Sequence, residues 1–213
     1  PAYQKMRELV QGGSLGQLRR TNWIITNWYR PQAYYDSGSW RATWSGEGGG
    51  VLLNQCPHNL DLWQWICGMP VRVSAHMHFG RWHDIEVEDD VTAYVEYENG
   101  ATGSFVTSTG DAPGTNRFEI TLDGGKLVAG DGRLTLWKLQ QPEPEVSRAN
   151  TIPFGQPEWV KQEWKAEDRG PQHVGVLNAF AGAILRGEPL VASGTEGIRG
   201  LTLFNAMHLS AWL

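Results

Sequence analysis

The chain has 213 residues, enough for one sizeable core or two small ones, and its net charge of −5 with scattered basic residues removes the electrostatic case for nucleic acid. Eleven tryptophans and 26 glycines suit a globular protein with aromatic-lined clefts. No apolar run approaches the ~20 residues that span a bilayer, so no membrane partner is expected. Residues 2–11 then read as a helix with Met6, Leu9 and Val10 on one side, stopped by Gly12 and Gly13. Residues 17–29 are rich in β-branched and aromatic types and read as a strand. Residues 30–50 form a loop that is long for a connector. Its Tyr34, Tyr35, Trp40, Arg41 and Trp44 could stack on a small polar ligand or could tie the loop to the body.

The segment from Gly48 to Pro70 opens with three glycines and predicts a helix over 54–67, ended by Gly68 and Pro70. Cys56 and Cys67 lie on that helix and form no disulfide framework, so they read as buried thiols of a reducing, cytoplasmic compartment. Residues 71–79 alternate with period two and predict a strand. Residues 80–90 read as an acidic connector. Strands at 91–97 and 102–108 are joined by Glu98-Asn99-Gly100, a hairpin signal. Further strands are predicted at 118–122, 126–128 and 134–137. Residues 141–171 are aperiodic, with an edge strand near 159–164. Helices are expected at 173–185, with Val176, Leu177, Phe180 and Ile184 inside, and at 194–213, with Ile198, Leu201, Phe204, Leu209 and Trp212 inside. The class is α+β: a largely antiparallel open sheet of about six strands with helices packed on one face.

The most site-like feature is Asn54, His58 and Asp61, whose offsets of four and seven return to one helical face. An imidazole with an unperturbed pKa near 6.5 can take a proton at neutral pH. Asn54 could orient a substrate hydroxyl, and Asp61 could hold the imidazole tautomer or bind substrate. A second cluster, His76, His78, His83, Asp84, Glu86, Glu88, Asp89 and Asp90, has metal-competent side chains but matches no fixed ligand spacing, and no metal is assigned. The glycines at 48–50 lack the lysine of a phosphate loop, and no dinucleotide-binding βαβ unit is present.

The segment GEGGGVLLNQCPHNLDLWQWICGMP resembles the signature of the Gfo/Idh/MocA oxidoreductases, the glucose–fructose oxidoreductase and inositol dehydrogenase family. Several stretches agree in order: residues 1–17 with the G-x-[IL]-G turn at 13–16, Ser39-Trp40-Arg41, Glu88-Asp89-Asp90 leading to the hairpin at 97–103, residues 173–189, and Gly194-Thr195-Glu196-Gly197 onward. The resemblance implies a C-terminal domain that supplies the substrate side of a two-domain enzyme, with NAD or NADP on an N-terminal Rossmann domain. Residues 1–213 would be that substrate-binding and oligomerisation domain. The abrupt ends lead us to expect a piece that lacks the Rossmann domain and is truncated at its C-terminus.

The implied reaction moves a hydride between the nicotinamide and a sugar, cyclitol or related polyol. His58 falls on the family's catalytic histidine. Asn54 stands where the family usually has an aspartate, and an amide cannot share a proton as a carboxylate does. Trp40, Arg41, Tyr34 and Asp61 are expected to bind substrate, and His173 matches a position near the site in some members. A lysine that helps polarise the substrate oxygen belongs to the missing part, so the isolated chain is expected to be inactive. Homodimers or homotetramers through the open sheet face are implied. The alternative is a non-catalytic carbohydrate-binding or scaffold domain, and cofactor-assisted glycoside cleavage is also open.

Overall fold

The strand β1 (Leu18–Ile25) sits at the centre of the sheet, and the rest of the architecture follows from its two neighbours. It pairs in parallel with β4 (Thr102–Ser108) and antiparallel with β5 (Asn116–Leu122). Outward from β4 lie β3 (Glu88–Glu96) and β2 (Arg72–Phe79); outward from β5 lie β6 (Gly125–Gly130), β7 (Arg133–Leu139) and β8 (Trp159–Lys165), all antiparallel. The computed structural model describes residues 2–165, 172–190 and 192–213. The expected open sheet is present with eight strands: the six of the meander, the first strand, and the edge strand.

One face of the sheet carries α1 (Ala2–Gln11), α3 (Pro57–Cys67) and α6 (Gly197–Trp212). Between sheet and helices lies the core, where Trp23, Phe105, Phe118, Trp63 and Met6 are each 1% exposed or less. Cross-strand register brings Trp23 opposite Phe105 on one side and Phe118 on the other. Trp23 stacks on Phe118 with centroids 4.3 Å apart, and Trp63 of α3 stacks on Phe105 at 5.3 Å. The Trp63 indole N–H donates to Thr21 Oγ1 at 2.9 Å, which satisfies the polar end of a buried ring. Burying each such side chain contributes about 1.5–3 kcal/mol.

Local chemistry explains the element ends. The hairpin at 98–100 turns as expected, with Gly100 at φ 83° and the Asn99 side chain accepting from the Ala101 N–H. The helix predicted over 54–67 begins instead at Pro57. Proline suits the first helical position and drives the preceding residue out of the helical region, so Cys56 sits at φ −106°, ψ 8° and residues 51–55 form turns. Gly68 ends α3 at φ 83°.

Four expectations need correction. The acidic connector stops early, because Glu88 and Asp89 begin β3 and are fully buried. The aperiodic region contains α4 (Glu143–Ala149), which buries no residue and so shows no hydrophobic period; it starts on proline and places Glu143 and Glu145 in its first turn, Arg148 in its last. Residues 166–171 lie outside the described residues. The stripe expected inside α5 (Gln172–Arg186) is exposed, with Val176, Leu177, Phe180 and Ile184 each more than half accessible. In α6 the buried set is Leu203, Phe204, Met207 and His208, while Ile198, Leu201, Leu209 and Trp212 are exposed.

Candidate active site

The glycine-rich lead-in to α3 is held by a buried carboxylate. Glu88 Oε2 accepts the Gly50 N–H at 2.8 Å, and Oε1 accepts the Leu52 N–H at 3.0 Å. The Val51 N–H donates to the Glu88 carbonyl at 2.9 Å. A Cβ on Gly50 would lie 2.0 Å from that carbonyl oxygen, so only glycine lets the two segments approach. Glu88 Oε2 also accepts from His208 Nε2 at 3.1 Å, while His208 Nδ1 donates to the Phe204 carbonyl at 3.1 Å. Both imidazole nitrogens face acceptors, and the rings of Trp44, Phe79, Phe204 and Trp212 surround it. Burial alone would lower the His208 pKa. The hydrogen bond to Glu88, the Glu88 charge and the Phe204 carbonyl outweigh it and hold the group above its ordinary 6.5.

That anchored lead-in delivers Asn54 and His58. The Asn54 N–H donates to the Gly50 carbonyl at 2.9 Å. Its side-chain oxygen accepts from the Tyr34 hydroxyl at 3.3 Å and from Gln55 Nε2 at 2.8 Å, and its amide donates to Glu47 Oε1. Glu47 Oε2 in turn accepts the Ala42 N–H at 2.8 Å. Arg41 Nη1 donates to the Tyr34 oxygen at 2.9 Å and Nε to Ser37 Oγ at 3.1 Å. The Arg41 guanidinium lies 4.5 Å from the ring centroids of both Tyr34 and Trp40. Trp40 itself is half exposed.

His58 is the second residue of α3 and is exposed. Asp61, also exposed, stands almost one turn later and accepts from Gln64 Nε2 at 3.0 Å. The two line a cavity of about 230 Å³ with Leu53, Pro57, Gly200 and Leu201, where α3 meets the start of α6. Two groups of expected residues thus come together: His58 with Asp61, and Asn54 with Tyr34, Arg41 and Trp40. The single helical face expected for Asn54, His58 and Asp61 is not formed, because Asn54 lies in the turn before Pro57 and does not line that cavity. His173, exposed on α5, joins neither group.

The long loop divides its aromatic residues between two tasks. Tyr35 and Trp44 tie it down: the Tyr35 hydroxyl donates to Thr109 Oγ1 at 2.9 Å, and the Trp44 N–H donates to Glu86 Oε2 at 3.0 Å. Burial pushes the Tyr35 pKa up to about 12. Tyr34, Trp40 and Arg41 instead pack on one another beside Asn54, with Trp40 half exposed. A short helix, α2 (Gln32–Tyr35), sits inside this loop.

Six of the eight metal-competent residues, His78, His83, Glu86, Glu88, Asp89 and Asp90, hold structural partners. Asp89 accepts the backbone N–H groups of Arg81, Trp82 and His83 at 2.8–3.1 Å, and His83 bridges Asp89 and the Arg30 carbonyl. His78 meets Asp90 at 3.3 Å. Among the described residues no three such side chains are grouped to hold a metal. Sequence reasoning named Glu88 and Asp89 without their buried anchoring role, and it missed His208 altogether. The one available signal was a run of acids set between Val87 and Val91, two residues that are themselves buried.

Known proteins share this fold. Residues 3–128 match the family described as the GFO/IDH/MocA C-terminal domain. The WlbA dehydrogenase from Chromobactrium violaceum, solved with NADH and UDP-GlcNAcA, is 27% identical with a TM-score of 0.76 over 98% of this chain and 56% of that one. An oxidoreductase from Thermotoga maritima is 23% identical, with a TM-score of 0.76 over 99% and 57%. A levoglucosan dehydrogenase solved with NADH and L-sorbose is 18% identical, with a TM-score of 0.74 over 97% and 60%. The chain therefore spans a little over half the length of these relatives, and no curated protein matches it. With the signature segment, the eight-stranded sheet and the helices on one face all in agreement, the chain belongs to the Gfo/Idh/MocA family, over its C-terminal domain.

Proposed function

We propose that residues 1–213 are the substrate domain of an NAD(P)-dependent oxidoreductase that acts on a sugar, cyclitol or related polyol. The observation that carries this reading is the placement of His58: an exposed imidazole on a cavity wall beside Asp61, four residues after an asparagine wired to Tyr34 and Arg41. Relatives solved with NADH and UDP-GlcNAcA, or with NADH and levoglucosan, support the class of cofactor and substrate.

In this reading His58 takes the proton of the substrate hydroxyl as general base. Asn54 positions that hydroxyl or the ring; its amide can donate and accept but cannot relay a proton as a carboxylate would. Asp61 contacts substrate across the same cavity. Trp40 offers a flat apolar face to the sugar, and Tyr34 and Arg41 offer donors. The nicotinamide, when bound by a preceding dinucleotide-binding domain, supplies the hydride acceptor. Alone, this chain is expected to be inactive.

The test is a screen of sugars and polyols with NAD and with NADP, using the full-length gene product and following nicotinamide absorbance. Turnover of at least one polyol is expected. Tight sugar binding without turnover under either cofactor would favour a non-catalytic carbohydrate-binding domain instead.

A further inference from the structure

Two arginines beside the candidate site have no acidic partner. Arg19, Arg72, Arg81, Arg117, Arg186 and Arg199 each meet a carboxylate within 4 Å. Among the described residues Arg7, Arg20, Arg30, Arg41, Arg133 and Arg148 meet none, and of these Arg30 and Arg41 stand together, both against Tyr34. The chain carries more acids than bases, so this is not for want of carboxylates. Glu47, a carboxylate of the same network, has both oxygens engaged, one by the Asn54 amide and one by the Ala42 N–H.

Both guanidiniums sit against one ring. The Arg30 guanidinium lies 5.0 Å from the Tyr34 centroid and the Arg41 guanidinium 4.5 Å. Arg41 is stacked a second time on Trp40, and its two engaged N–H groups go to neutral oxygens of Ser37 and Tyr34. Arg30 spends Nη1 on the Tyr29 carbonyl. A guanidinium has five N–H donors in a rigid fork, so each arginine keeps donors in hand. Stacking and hydrogen bonds pre-orient these groups, which lowers the ordering cost of binding an anion.

The cluster is wired to the site. Arg41 donates to the Tyr34 oxygen, and the Tyr34 hydroxyl donates to Asn54, four residues before His58. We propose that Arg30 and Arg41, set on Tyr34, bind an oxyanion carried by the sugar substrate: a carboxylate or a phosphate. This rests on the reading of His58 and Asn54 as the reacting end of the site. It goes further in making the substrate an acidic sugar rather than a neutral polyol.

The experiment is calorimetric titration of the full-length gene product, saturated with its reduced nicotinamide, against matched sets of one sugar: the neutral form, its uronate and its 6-phosphate. One anionic form is expected to bind at least tenfold tighter than the neutral sugar, the effect of one or two charge-assisted hydrogen bonds, with a preference that shrinks as salt rises. Tighter binding of the uronate assigns a carboxylate; tighter binding of the 6-phosphate assigns a phosphate. Arg41→Met, which also removes a donor to the neutral sugar, should lose at least tenfold more affinity for the anionic form than for the neutral one, and equal losses on the two forms would overturn the proposal. Arg30→Met, whose side chain makes fewer internal contacts, gives the same comparison if Arg41→Met does not fold. Neutral and anionic forms binding within threefold of each other would overturn this proposal and leave the sugar-oxidoreductase reading standing. Failure of every sugar to bind would overturn both.

Discussion

Glu88 does at the residue scale what no helix cap does here. Its two carboxylate oxygens take the Gly50 and Leu52 N–H groups, and the His208 ring stands against the same carboxylate. Removing one partner of a buried charged pair leaves the other uncompensated, so Glu88→Ala should cost about 3–5 kcal/mol, read as a fall in urea midpoint. The pair also sets a pH dependence. His208 is held above 6.5 in the folded state. Its contribution to stability is therefore complete below pH 6.5 and declines as pH rises through the raised value. His208→Phe should flatten that decline in a series of thermal melts, whereas an unchanged pH slope would show that another group sets it. Cys56 is a second case. Burial pushes its thiol up to about 12, with Thr107 Oγ1 3.0 Å away, so native protein should leave it unalkylated at pH 8 while unfolded protein reacts. Rapid native labelling at Cys56 would contradict this.

At the element scale, α3 carries the proposed base His58, and its position is set from both ends. Gly50 and Glu88 fix where the lead-in runs, Pro57 fixes where the helix starts, and Trp63 pins it to the sheet at 1% exposure. Trp63→Ala should destabilise by about 3–5 kcal/mol, through lost burial and an unpaired Thr21 hydroxyl, measured by denaturant titration. Much of this was legible in the sequence. The helix after the glycines, the hairpin at Asn99-Gly100 and the period-two strands follow from turn chemistry and side-chain period. Spacing also brought His58 and Asp61 to one helix face, and both line one cavity. The burial of Glu88 was not, because an acidic run reads as solvated until a second segment supplies the backbone donors that satisfy it. Nor could the period of α5 or α6 reveal which side faces the sheet: a 3.6-residue stripe shows that an apolar face exists and leaves its partner unnamed. The same holds for Asn54, which spacing placed on a helix that Pro57 delays by three residues.

On the scale of the whole molecule, the sheet has one covered and one open face. The register aligns Ser74, Tyr94, Ser104, Asn22 and Glu119 in a row across five strands on the open side, with Tyr94 and Ile24 at least 40% accessible. We propose this face as the contact between copies in a homodimer or homotetramer. Light scattering should then give a mass that is a multiple of the protomer, reduced by Tyr94→Lys; a monomer at micromolar concentration would rule the contact out. Among the described residues no helix is long and apolar enough to cross a membrane. Family membership fixes the architecture, and the proposed chemistry rests on one side chain of one helix. The measurement that reaches it most directly is kcat for His58→Ala in the full-length gene product, on its best polyol with saturating cofactor. A general base removed in this way should lower kcat by about 10²–10⁴-fold with little change in substrate affinity. A variant that keeps wild-type kcat would show that His58 does not take the proton.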